Sequence, residues 1–121
     1  MGVRVPMGPT YEEMLFPDRQ PTALREKARL AREHDELDPH NLFNITWKDD
    51  AGKVNSLVFP PELTGIDANV VVMLGKDFPS GSHKVGPAYS TLIEGYVDGD
   101  ILPDRHTILG PSTGNFGIGV A

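Results

Sequence analysis

Two short loops hold the residues of this sequence best suited to covalent or anion chemistry. The first, "PSGSHKVGPA" at 79–88, sets Lys84 two residues after a Gly-Ser pair and just ahead of a helix. An amine among backbone N–H groups there has its pKa lowered once it is also buried, and becomes a nucleophile toward a carbonyl. The plain alternative is a solvated loop lysine beside flexible glycines. The second loop, "GPSTGNFGIG" at 110–119, gathers Ser112, Thr113, Gly114 and Asn115 at a helix start. Hydroxyls, a side-chain amide and free backbone N–H groups in that position cradle a carboxylate or a phosphate. Here the plain alternative is a capped helix after a tight turn. The glycines do not follow G-x-G-x-x-G and no Lys-Ser or Lys-Thr closes the loop, so it is neither a dinucleotide fingerprint nor a P-loop.

The elements that must position these loops can be read from spacing. From 69 on, the expected order is strand, loop, helix, strand, loop, helix, an α/β arrangement in which ligands collect where strands lead into helices. "NVVVML" (69–74) is apolar without alternation, the pattern of a strand buried on both faces. Tyr89, Leu92, Ile93, Tyr96 and Val97 fit one face of a helix, with Pro87 suited to its first turn. "HTILG" (106–110) is expected to be a short strand, and a helix is expected to begin at Asn115. Upstream, residues 1–20 read as an arm with Tyr11, Met14, Leu15 and Phe16 as its anchor. A helix starting at Pro21 presents Leu24, Ala28 and Ala31 as a thin apolar stripe beside a charged face. "NLFNITW" and "VNSLVFP" around "KDDAGK" then read as a two-stranded hairpin.

Composition narrows the classes. The 121 residues suit one domain with a modest core, and the 13 glycines and 11 prolines imply many turns. A net charge of −6 with no basic run argues against nucleic acid or an anionic membrane as partner. With no cysteine, disulfides, thiolate zinc sites and cysteine nucleophiles are excluded. No run approaches the ~20 apolar residues of a membrane span, and no apolar signal core opens the chain, so the reading is cytoplasmic. His34 and His40 flank acidic residues at a spacing that fits no metal pair, and Asp49-Asp50 and Asp98-Asp100 fall in turn-like segments, so no metal site is assigned.

Taken together, "P-S-G-S-H-K" opening a helix, then a strand, then "S-T-G-N-F-G-I-G-V-A" resembles the fold type II pyridoxal-phosphate enzymes, among them cysteine synthase and the tryptophan synthase β chain. The last ten residues look closest to the cysteine synthase pattern S-G-N-T-G-I-G-L-A. The lysine loop, with histidine before lysine, is more similar to tryptophan synthase β. The resemblance spans 69–121. It implies an open twisted α/β sheet with flanking helices. Within that frame 1–20 is the arm and 21–59 a helix-plus-hairpin extension. Residues 60–95 start the large cofactor-binding domain and 96–121 start the small one. It further implies that Lys84 forms the Schiff base with pyridoxal 5'-phosphate and that Asn115 bonds the ring hydroxyl. Ser82 and His83 would lie by the cofactor, and Ser112, Thr113, Gly114, Asn115 and Phe116 would hold the substrate carboxylate.

The activity so implied is a lyase or synthase acting at the β-carbon of a small amino acid, by elimination or replacement through an aminoacrylate. Two positions depart from the pattern. Gly86 stands where many relatives carry Arg, and Phe116 stands where Thr is frequent. The family's glycine-rich phosphate loop is also not among these residues. The expectation is therefore an N-terminal portion of the enzyme in an oligomer, with a second polypeptide or a C-terminal fragment supplying that loop. The alternative from another class is a non-catalytic regulatory or scaffolding subunit that retains the fold.

Overall fold

The computed structural model describes residues 8–121; the first part of the expected arm, 1–7, lies outside the described residues. The rest of the arm folds locally. Helix α1, Tyr11–Leu15, is closed by a capping box in which Thr10 accepts from the Glu13 N–H and Glu13 reaches back to the Thr10 N–H. A single 3₁₀ turn, Pro17–Arg19, follows. Helix α2, Thr22–His34, begins one residue after Pro21 and buries the expected small side chains, Ala28 and Ala31. Leu30, beside that stripe, stays 41% exposed.

The two alanines let a six-residue 3₁₀ segment, Pro39–Asn44, lie close to α2. Asn44 is buried; its amide donates to the Ala28 carbonyl at 2.7 Å and to Asn41 Oδ1 at 2.9 Å. Arg25 adds a second tie, from Nε to Asp50 at 2.7 Å and from Nη1 to the Phe43 carbonyl at 2.6 Å. These side-chain bonds hold "NLFN" in a 3₁₀ coil, so the expected strand there does not form.

The hairpin expected around "KDDAGK" survives as its turn and one bridge, Lys48 to Val54. Asp49 accepts from the Ala51 and Lys53 N–H groups, the turn role expected of it, and Gly52 takes the left-handed φ of 78°. The strand after the turn finds a different partner. Strand β1, Ser56–Phe59, pairs antiparallel with β2, Val70–Met73, in the register Ser56 to Met73 and Phe59 to Val70. Between them runs α3, Pro61–Thr64, ended by Gly65 at φ 72°.

The expectation that β2 is buried on both faces is corrected within this chain. Val71, Val72 and Met73 are exposed, as are Leu57 and Val58 opposite them. A sheet of two strands has no layer above or below to cover both sides of an apolar ribbon.

Helix α4, Val85–Val97, matches the spacing of its apolar face through Tyr96, with Tyr89 buried and Leu92, Ile93 and Tyr96 half-buried, while Val97 at its end is exposed. "HTILG" does not pair as a strand: Leu109 is 85% exposed, and His106 Nδ1 instead accepts the Leu102 N–H at 3.1 Å. Helix α5, Asn115–Val120, starts at the expected residue. The core centres on Ile45, Phe78, Val85 and Tyr89, with Met14 of α1 packed against it. Among the described residues, no helix is long and apolar enough to cross a membrane.

Candidate functional site

The lysine loop owes its shape to two consecutive residues in the left-handed region. Ser80 has φ 62° and Gly81 φ 66°. The glycine tolerates this freely, whereas Ser80 is strained by about 1 kcal/mol or more. The turn buries Ser82, whose Oγ accepts the Lys84 N–H at 3.3 Å, and brings Val85 into the core. His83 and Lys84 are left on the outer side of the turn, and both are exposed. The condition for a lowered amine pKa, burial, is not met at Lys84, which is a solvated loop lysine here; the buried positions are Phe78, Pro79, Ser82 and Val85. His83 turns toward Trp47, with ring centroids 5.5 Å apart.

In the second loop Ser112 is engaged locally. Its Oγ accepts the Gly114 N–H and donates to the Gly114 carbonyl, each at 3.2 Å. Thr113, Gly114 and Asn115 are exposed and Phe116 is half-buried. No side-chain hydrogen bond involves Thr113 or Asn115 among the described residues.

The two loops are distant in sequence and adjacent in space. Helix α5 lies on the beginning of α4, and the contact is between backbones. A Cβ placed on Gly119 would stand 2.8 Å from the Val85 Cα and 3.0 Å from the Lys84 carbonyl oxygen. Only a residue without a side chain permits that approach. The residue carrying the amine and the helix carrying the Ser-Thr-Gly-Asn loop therefore touch directly.

An aromatic group with no sequence signature gathers at the first turn of α4. Trp47, Phe78 and His83 line a concavity of about 270 Å³, whose walls also include Gly86 and Pro87 from the first turn of α4. Lys84 does not line it. The spacing of Trp47 to Phe78 and His83 carries no periodic signal, because they meet only through the tertiary fold.

Titration is perturbed away from the two loops. Burial, and then the charge of Glu13 and the neighbouring Tyr11, pushes the Tyr89 hydroxyl up to about 12. That hydroxyl donates to the Pro9 carbonyl at 2.9 Å and fastens the arm to α4. Tyr11 bonds Glu94, which raises its own pKa. Asp38 is held below the usual carboxylate range by the His40 N–H and then by the His40 ring.

No protein-family profile, curated protein or solved structure matches this chain.

Proposed function

We propose that this chain supplies the lysine and the substrate-carboxylate loop of a fold type II pyridoxal-phosphate-dependent lyase or synthase acting at the β-carbon of a small amino acid. The observation that carries this reading is the contact of α5 with the start of α4 at Gly119, which sets the two motif loops side by side. The chemistry of the donor set fits the cofactor. Lys84 offers an exposed primary amine, and Thr113 and Asn115 offer an exposed hydroxyl and amide.

When bound, pyridoxal 5'-phosphate withdraws electrons from the substrate α-carbon and makes its proton acidic. Lys84 is the residue that would hold the cofactor's aldehyde carbon, and its Nζ would be the base for that α-proton. Asn115 would orient the ring through its hydroxyl, and His83 and Ser82 would lie toward the phosphate. Ser112, Thr113 and Gly114 orient the substrate carboxylate, with Phe116 adding an apolar wall where relatives place a hydroxyl.

In this reading 60–95 and 96–121 begin the large and small domains of an open α/β sheet in a cytoplasmic oligomer. A second polypeptide or a C-terminal segment completes the sheet and brings the phosphate loop. The exposed apolar residues on both faces of β1 and β2 support such a cover. The exposure of Lys84, outside the neighbouring concavity, favours the second reading, a regulatory or scaffolding subunit without chemistry.

The test is the visible absorption of the natively purified protein, with whatever co-purifies, before and after borohydride reduction. A yellow band lost on reduction, with a pyridoxyl mass on the peptide containing Lys84, is the expected outcome. A colourless protein that stays unlabelled with added cofactor and the co-purifying chain would leave the subunit reading.

A further inference from the structure

Trp47 is the single tryptophan of the chain, and it is 36% exposed at the wall of the 270 Å³ concavity. Phe78 meets its ring edge-on with centroids 4.9 Å apart, and the His83 ring lies 5.5 Å away, tilted by 32°. Ile45 and Pro87 add apolar walls to this half-open cleft. Its width depends on Gly86: a Cβ there would touch Ile45 Cγ2 at 3.5 Å, so any larger side chain would grow into the space. At the rim, the Lys48 ammonium is already committed to the Leu15 carbonyl at 2.8 Å and sits over the Phe16 ring.

We propose that this cleft binds a small, flat aromatic molecule of one or two rings. Its volume falls just under the roughly 300–1,000 Å³ of sites that enclose drug-sized ligands, which sets the upper size. Flatness follows from the walls. Two rings already pack on Trp47 in edge-on and tilted geometry, and a third ring entering beside them gains the same electrostatic contacts. Those contacts favour an aromatic over a saturated ring of equal size by up to about tenfold. Lys84 does not line the site, and of the residues assigned above to the cofactor only His83 contributes to its wall.

Because Trp47 is the only indole, its emission reports the site directly. The natively purified full chain, with whatever co-purifies, is titrated with benzamide and separately with cyclohexanecarboxamide, exciting where neither absorbs. Benzamide is expected to change the emission saturably, with a dissociation constant on the order of millimolar for so few atoms. Cyclohexanecarboxamide is expected to bind about tenfold more weakly. Gly86→Leu fills the cleft and is expected to abolish the benzamide response while the far-ultraviolet circular dichroism stays as in the parent. Trp47→Leu, read by calorimetry, is expected to erase the preference between the two amides, which keeps the question answerable if Gly86→Leu does not fold. A response that never saturates, equal binding of both amides, or a folded Gly86→Leu that still binds benzamide would overturn the proposal. So would an emission already insensitive because a partner's side chain fills the cleft.

Discussion

Where α2 meets the segment Pro39–Asn44, the side chains do the holding: Ala28, Ala31, Asn41 and Asn44 are all buried, and the asparagine amides are bonded to one another and to the Ala28 carbonyl. Where α5 meets the start of α4, no residue of α5 is buried, and the contact runs through the backbone at Gly119. The region without a recognisable motif is the packed one, and the region carrying both motifs leaves Lys84, Thr113 and Asn115 outward. A contact closed by internal hydrogen bonds has nothing left to offer a ligand. A contact closed on backbone at Gly119 leaves the Thr113 hydroxyl and the Asn115 amide without side-chain hydrogen bonds among the described residues, at the expense of local stability.

The sharpest way to break this comparison is Lys84→Ala. It is expected to remove the borohydride-trapped pyridoxyl label completely, while thermal or denaturant unfolding shifts by less than about 0.5 kcal/mol, as for an exposed side chain. A large loss of stability would show that the loop is structural after all. Asn44→Ala is the converse. It strips a buried amide from two acceptors, and its expected cost is about 2–3 kcal/mol in denaturant unfolding. The Lys84 label is expected to persist under folding conditions.

Gly119→Ala is expected to act on the motif contact alone. Its methyl group would collide with backbone rather than with a movable side chain, so α5 must lift by strain of about 1–3 kcal/mol. Hydrogen exchange should speed up over 115–120 and stay unchanged over 22–34. The smallest effect is at Tyr89→Phe, which loses one hydrogen bond to the Pro9 carbonyl, about 1 kcal/mol near neutral pH. Its signature lies in alkali. The folded-state pKa of Tyr89, about 12, is raised from 10.0, so its favourable contribution is intact below pH 10 and fades as pH climbs from 10 toward 12. A stability–pH curve of Tyr89→Phe should be flatter than the parent's across that window.

Elements with a local cause were readable in the sequence. The spacing of Leu24, Ala28 and Ala31 marked α2, and that of Tyr89, Leu92, Ile93, Tyr96 and Val97 marked α4. Asp49 and Gly52 marked a turn whose geometry they supply themselves. Elements decided from a distance were not. "NLFN" has the composition of a strand, but Asn44 reaches back to α2 and fixes a 3₁₀ coil. "SLVF" found its partner beyond α3 rather than across the nearest turn. Of the candidate site, the helix start at Asn115 was legible. The exposure of Lys84 agrees with the solvated-lysine alternative, whereas the turn at Ser80, a non-glycine residue in a left-handed conformation, is not announced by composition.

The glycines at 114, 117 and 119 look interchangeable on paper, yet the space around them makes them unequal letters. A Cβ at 114 would meet nothing within 4 Å, one at 117 would press on the Ser112 side chain at 3.1 Å, and one at 119 would strike backbone. A library randomised at these positions and selected for folded protein should therefore return broad diversity at 114, small residues at 117 and glycine at 119. The order in which substitutions become tolerated is a reading of that interface, obtained without a single set of coordinates.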